Sequence, residues 1–194
     1  MQLAVTRPGF GRTLATAVVI GLVIAAVAYL EQGQREAAGA SQAVNLPNAN
    51  PAAQPRPGQP APDFEAKMLD GSTARLSDYR GKPVWLSFWA SWCPPCRAEN
   101  PDVDAIYREM KDRGLVMIAV DMGESPAEIR SYLESTGYTF PVALDTGYAI
   151  TSLYQVNGIP THFFIDRDGV ISEMRVGTID RGATRAKLEQ LLGP

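Results

Sequence analysis

The stretch WCPPC at residues 92–96 decides how this sequence is interpreted. Its two cysteines, Cys93 and Cys96, are the only cysteines among 194 residues. An apolar run typical of a buried strand precedes it at residues 84–90, and apolar residues at helical spacing follow it at residues 103–110. A first cysteine at such a strand-to-helix junction lies where unpaired backbone N–H groups and the helix dipole favour a thiolate. The pattern therefore favours a redox-active dithiol.

Two structural interpretations compete with the redox one. A disulfide between Cys93 and Cys96 closes a loop of about four residues and constrains the unfolded chain by only about 2 kcal/mol. Half of a zinc site would have to find its other ligands in His162, the only histidine, and in carboxylates, which is a poor match to structural zinc spacing. We therefore expect no metal site and no other cofactor.

The first 30 residues predict a membrane anchor. Residues 1–13 carry Arg7 and Arg12 without an acidic residue, and residues 14–30 contain no charge. An apolar stretch of this length falls within the range of a spanning helix, and the basic residues before it predict a cytoplasmic N-terminus. A cleaved signal peptide is the alternative, because small-residue sites resembling cleavage sites occur at residues 26–28 and 38–40. Both interpretations place the remainder outside the cytoplasm, where disulfide chemistry is common.

A linker and one folded domain follow. Residues 31–60 are rich in Ala, Gln, Asn, Gly and Pro and contain few large apolar residues, so they predict a flexible tether. Residues 61–194 are long enough for one domain with a proper core. That span holds 14 Lys and Arg against 19 Asp and Glu, which argues against a nucleic-acid partner.

The order of elements in this domain predicts an α/β fold with a mixed sheet and helices on both faces. Asp70-Gly71 predicts an N-terminal β-hairpin, and Ser125-Pro126 predicts a helix start. The predicted strands are residues 64–68, 73–76, 84–90, 115–120, 140–144, 161–166 and 170–176. The predicted helices follow Cys96 and cover residues 126–135, 148–154 and 183–192.

With WASWCPPC at residues 89–96 and GIPT at residues 158–161, the chain resembles thioredoxin-fold proteins. It is most similar to membrane-anchored thiol–disulfide oxidoreductases of the TlpA/ResA/CcmG type, and the resemblance covers residues 61–192. It implies a thioredoxin-like central sheet flanked by helices, with an insertion that residues 126–144 would hold.

The resemblance also implies roles for the site residues. Cys93 would be the exposed attacking thiolate, and Cys96 the buried resolving thiol. Pro160 would be a cis-proline that faces the cysteines, with Ile159 and Thr161 beside it on the substrate-binding loop. Trp92 would shield the disulfide and contact partners. Pro94 and Pro95 would tune the redox potential.

Glu99 and His162 are the remaining candidates. Thioredoxin has a buried carboxylate six residues before its first cysteine, where this chain has Ser87. In the ResA-like branch a Glu lies near the site, three residues after the second cysteine, and here that residue is Glu99. We expect Glu99 to tune the cysteines or to relay the proton of Cys96, although a solvated Glu that suits the helix dipole is the alternative. For His162, a core position is favoured over a proton relay or a copper ligand.

The sequence thus predicts an extracytoplasmic reductase of protein disulfides, with its catalytic domain in the periplasm. The family implies clients such as apocytochrome c or copper-site assembly proteins, and a membrane electron donor. A disulfide oxidase or isomerase on the same fold is an alternative. A peroxiredoxin-like peroxidase would need Pro and Thr or Ser where this chain has Leu86 and Ala90. A copper(I)-binding chaperone would use the two soft thiolates.

Overall fold

The computed structural model describes residues 25–26, 42–43 and 54–193. Its strands are β1 (Gln42–Ala43), β2 (Phe64–Met68), β3 (Thr73–Arg75), β4 (Val84–Trp89), β5 (Val116–Asp121), β6 (Val142–Leu144), β7 (Thr161–Ile165) and β8 (Ile171–Val176). Its main helices are α1 (Pro94–Met110), α2 (Pro126–Thr136), α3 (Ala149–Leu153) and α4 (Arg181–Leu192).

The strands form one mixed sheet in the order β1-β2-β6-β5-β4-β7-β8, and β3 pairs with β2. Strand β5 runs parallel to β4 and to β6, whereas β7 is antiparallel to both β4 and β8. The hairpin predicted around Asp70-Gly71 is confirmed as the antiparallel pair β2–β3. The predicted insertion contains the helix α2 and the strand β6, and β6 continues the sheet beyond β5.

Strand β4 is buried along its whole length, so its alternating side chains supply two cores. Leu86 and Phe88 face the core that contains β2 and the α3 segment. Trp85 and Trp89 face the other core, together with both cysteines and with residues of α1, α2 and α4. Helices therefore cover both faces of the sheet, and β4 delivers the chain to Cys93 from its centre.

The starts of the helices follow local sequence signals. The Ser125 hydroxyl accepts the N–H of Glu128, and the Glu128 carboxylate accepts the N–H of Ser125, so the predicted start of α2 is a full capping box. At the short helix α3, the buried carboxylate of Asp145 accepts the N–H groups of Ile150 and Thr151.

The predicted membrane segment at residues 14–30 lies outside the described residues except for residues 25–26, which are helical. In the part of the chain that the structure describes, no helix is both long enough and apolar enough to cross a bilayer.

Candidate active site

Cys93 is the residue at which strand turns into helix. It caps α1 with extended backbone angles, φ −83° and ψ 112°, and its Sγ accepts the N–H of Cys96 at 3.3 Å. Pro94 and Pro95 occupy the first turn, where the N–H groups that proline lacks would have no helical partner. Cys93 and Cys96 form a disulfide in this structure. The junction predicted from the sequence is thus present.

The disulfide form differs from the expectation that Cys93 is exposed. Cys93 is only 3% exposed and Cys96 is fully buried. The reason is that the bond to Cys96 holds the Cys93 sulfur at the helix end, where it lies 3.8 Å from the carbonyl oxygen of Ile159. The neighbouring Trp92 is 63% exposed and marks where this site meets solvent.

The loop opposite the cysteines contains a cis peptide bond between Ile159 and Pro160. The Pro160 carbonyl already accepts the N–H of Gly177 at 2.8 Å, within the protein's own backbone. The Thr161 side chain is buried, and its hydroxyl donates to the Gly158 carbonyl at 2.7 Å. Thr161 thus shapes the loop from inside, and the Ile159 carbonyl is the group that faces the sulfur.

Glu99 is buried, not solvated, and it lies one helical turn beyond Cys96. Its Oε2 accepts the backbone N–H of Ile179 at 2.9 Å. Its Oε1 lies 3.2 Å from Nε2 of His162. Residues three apart on a helix share one face, so this carboxyl is directed to the side of α1 that carries the resolving cysteine.

The predicted core position of His162 is confirmed, because the side chain is fully buried on β7. Its Nδ1 accepts the indole N–H of Trp85 at 3.3 Å. Ser87, which replaces the thioredoxin carboxylate, is directly opposite His162 across the β4–β7 pair. The core beneath the disulfide therefore contains a histidine and a carboxyl group from α1.

Sequence reasoning missed two acidic residues beside the site. The hydroxyl of Ser91, two residues before Cys93, donates to Glu124, and the Ser91 N–H donates to the same carboxylate at 2.5 Å. The Glu124 N–H in turn donates to Oδ1 of Asp121 at 3.0 Å. Asp121 ends a buried apolar strand and Glu124 follows three residues later, but nothing in the sequence connects either to the cysteines.

Burial, together with the hydrogen bond and the charge of the neighbouring Glu124, raises the pKa of Asp121 to about 9. Two carboxyl groups in contact within a protein interior cannot both ionise without strong repulsion. Asp121 is therefore a neutral acid at pH 7.

An open groove of about 780 Å³ lies beside the exposed Trp92. Its walls include Ser91 and Glu124 on one side, and Glu128 and Tyr132 of α2 on the other. The helix that lines this groove belongs to the insertion.

Comparison with known proteins agrees with this geometry. The sequence matches the AhpC/TSA family over residues 57–174. Thiol-disulfide oxidoreductase ResA of Geobacillus kaustophilus (strain HTA426) is 37% identical over 134 residues, which are 69% of this chain and 77% of that protein. ResA of Bacillus subtilis (strain 168) is 37% identical over 122 residues, 63% of this chain and 68% of that protein.

A solved structure from Chlorobium tepidum TLS, a thiol:disulfide interchange protein described as a thioredoxin family protein, superposes with a TM-score of 0.64. It is 30% identical and covers 73% of this chain and 100% of its own. The fold, the Cys93–Cys96 pair and these relatives define a thiol–disulfide oxidoreductase with a thioredoxin fold. The chain belongs to the AhpC/TSA family, and its predicted resemblance to ResA-type proteins is confirmed.

Proposed function

We propose that this oxidoreductase reduces disulfides of partner proteins outside the cytoplasm. Residues 14–30 would anchor it as a single span in the cytoplasmic membrane. The predicted linker, residues 31–60, would hold the domain away from the bilayer through the part before β1, since β1 pairs with β2 in the sheet. The observation that carries the proposal is the asymmetry of the site. Cys93 caps a helix beside a 63% exposed tryptophan, whereas Cys96 lies fully buried one turn further on.

This asymmetry supports different roles for the two sulfurs. In the reduced protein the Cys93 thiolate, stabilised by the Cys96 N–H and the helix N-terminus, attacks a substrate disulfide and forms a mixed disulfide. Cys96 then loses its proton and attacks the Cys93 sulfur, which releases the substrate as a dithiol. Glu99 is the buried carboxylate on the same face of α1 that would accept this proton.

The substrate would lie between Trp92 and the Ile159–Pro160 loop. The Ile159 carbonyl lies 3.8 Å from the Cys93 sulfur, so an extended polypeptide bound along this loop would lie against the disulfide. Thr161 supports this loop from inside, and Pro94 and Pro95 would tune the redox potential by shaping the first turn of α1. The groove beside Trp92 provides room for flanking residues of a folded client.

The proposed reaction also requires an electron donor and client proteins. Each turnover leaves Cys93 and Cys96 oxidised, so a membrane electron donor must return two electrons and two protons to the pair. Apocytochrome c and copper-site assembly proteins are the client classes that we propose, on the family resemblance. A peroxidase is disfavoured because Leu86 and Ala90, where that chemistry needs polar or proline residues, are buried apolar residues.

The reduction potential of the pair in the purified full chain is the deciding measurement. Equilibration with dithiothreitol or glutathione should give a value near that of thioredoxin, about −270 mV, rather than near that of DsbA, about −120 mV. A value near −120 mV would contradict the reductase assignment and support an oxidase or isomerase.

Client specificity is tested separately. The Cys96→Ser variant should accumulate a mixed disulfide with oxidised apocytochrome c or with an oxidised copper-site protein. The Cys93→Ser variant is the matched control and should trap neither protein. Equal trapping of an unrelated oxidised protein would contradict the proposed client classes.

A further inference from the structure

Three elements place polar side chains in line beneath the disulfide. The Trp85 indole N–H on β4 donates to Nδ1 of His162 on β7 at 3.3 Å. The opposite nitrogen of that ring, Nε2, lies 3.2 Å from Oε1 of Glu99 on α1. The Ile179 N–H holds the other oxygen of Glu99 at 2.9 Å. We call this arrangement, from Trp85 through His162 to Glu99, the polar column.

The column fixes where the imidazole carries its hydrogen. A neutral imidazole has one N–H donor and one acceptor nitrogen. Since Nδ1 of His162 accepts from Trp85, the hydrogen lies on Nε2, which faces Glu99. The 3.2 Å contact does not have the geometry of a hydrogen bond, and neither Nε2 nor Oε1 has a hydrogen-bond partner in the described part of the chain. Among the described residues, Nε2 of His162 and Oε1 of Glu99 therefore have only each other as polar neighbours within 3.2 Å.

The His162–Glu99 contact is shielded from water. The side chains of His162 and Glu99 are 0% and 2% exposed. A carboxylate so far from water is stable only where N–H groups point at it. Two groups face it here: the backbone N–H of Ile179 donates to one oxygen, and Nε2 of His162 lies 3.2 Å from the other.

We propose that His162 is a positioning residue for Glu99 in the release step of thiol–disulfide exchange. The inference rests on the proposed function and deepens it. The Nε2–H group of His162 faces Oε1 of Glu99 at 3.2 Å and fixes the orientation of its carboxyl group, so that the carboxylate can take the Cys96 proton.

The release step transfers one proton and exchanges one S–S bond for another. The Cys96 thiol gives its proton to the Glu99 carboxylate and becomes a thiolate. That thiolate forms a bond to the Cys93 sulfur, while the bond between Cys93 and the substrate sulfur breaks and its electron pair leaves with the substrate. The substrate thiolate takes up one proton, and the protein ends with a disulfide.

Other polar and charged groups also face the column. Arg175 on β8 lies directly opposite His162 in the strand pairing and is paired with Glu173. The remaining groups near this face are Ser87 on β4, the Cys93 and Cys96 sulfurs, Asp180 before α4 and Thr184 in α4. Each of them is retained in the variants below.

Dipyridyl disulfide separates the two chemical steps in the reduced full-length protein. Attack by Cys93 releases one coloured pyridinethione, and attack by Cys96 releases the second. His162→Leu should leave the first release unchanged and slow the second about tenfold at pH 7, because one donor to the carboxylate is lost. The pH midpoint of the second step should move upward.

The conservative variant and the double variant separate positioning from structure. His162→Gln retains an N–H donor toward Glu99 and should restore most of the second rate. Glu99→Gln should slow the second release, and the His162→Leu/Glu99→Gln double variant should be no slower than Glu99→Gln alone within about twofold, because both changes act on one group. Trp85→Phe removes only the donor to Nδ1 and should slow the second step less than His162→Leu.

Several outcomes would overturn the inference. An unchanged second rate and pH midpoint in folded His162→Leu would do so, as would a double variant whose loss equals the product of the two single losses. If His162→Leu does not fold, His162→Gln and Trp85→Phe decide, and equal slowing of both release steps in them would contradict a positioning role. Failure of the unaltered protein to release any pyridinethione would instead contradict the proposed function.

Discussion

At neutral pH the buried carboxyl group of Asp121 carries a proton, since its pKa is about 9 instead of the ordinary 3.8. The folded chain then holds a proton that the unfolded chain has released. The stabilisation from this proton is complete below about pH 4 and is lost as the pH rises through about 9. Asp121 therefore makes the folded state less stable with rising pH, in the range where most proteins vary little.

Asp121→Asn should remove this pH dependence. The amide cannot ionise and retains a donor that can reach Glu124, so the free energy of unfolding should change less between pH 6 and 9 than in the unaltered protein, whose slope is up to about 1.4 kcal/mol per pH unit. Urea unfolding of the oxidised protein measures it, because disulfide-bonded cysteines do not titrate. Asp112→Asn at an exposed position is the control and should leave the slope unchanged. Identical slopes in all three proteins would contradict the buried neutral acid.

The exposed Trp92 predicts a loss of activity toward protein disulfides but not toward small disulfides. Trp92→Ala should reduce kcat/KM for a folded protein disulfide about tenfold, because an exposed aromatic side chain beside the sulfur is a typical anchor for a partner. Exchange with dipyridyl disulfide should change less than twofold, because a small reagent needs no such anchor. Equal losses with both substrates would assign Trp92 to shaping the disulfide itself.

At the scale of single residues, the sequence predicted those site residues that belong to a recognisable motif. Cys93, Cys96 and Pro160 were found by pattern and resemblance, and the buried state of His162 by its place in an apolar run. Glu124 was not found, because its contact with Ser91 bridges two loops that are 33 residues apart. No local pattern encodes such a contact.

At the scale of elements, the capping box of α2 predicts a measurable loss. Ser125→Ala should lower the free energy of unfolding by about 1 kcal/mol, because the N–H of Glu128 loses its acceptor. Ser131→Ala, at an exposed position within the same helix, should change it by less than about 0.5 kcal/mol. Denaturant unfolding measures both, and equal effects would show that the cap contributes nothing particular.

Boundaries of elements were predicted less well than their order. The strand expected at residues 140–144 is only Val142–Leu144, since Pro141 has no N–H to give to a ladder. The last helix begins two residues before the expected Ala183, because the side chain of Asp180 caps it by accepting the N–H of Ala183 at 2.7 Å. Apolar periodicity locates the buried middle of an element, whereas its ends depend on such polar contacts.

For the molecule as a whole, stability and redox chemistry are linked. If the protein is a reductant, its disulfide form is the more stable one, and folding then favours oxidation of the cysteines over the unfolded reference. The difference in unfolding free energy between the two forms converts to potential at about 1.4 kcal/mol per 30 mV. We expect the oxidised full chain to need more urea to unfold than the reduced chain. A more stable reduced form would contradict the reductase assignment by a route independent of any substrate.

All three tryptophans of the chain lie within residues 85–92, directly before the cysteines. Trp89 and Trp85 share a core with both sulfurs, and Trp92 adjoins Cys93 in the chain. All of the tryptophan emission of this protein therefore comes from the surroundings of its redox centre, and a disulfide quenches the emission of nearby indoles. Reduction of the Cys93–Cys96 disulfide should therefore increase the tryptophan emission, so the fluorescence reports the redox state without an added label.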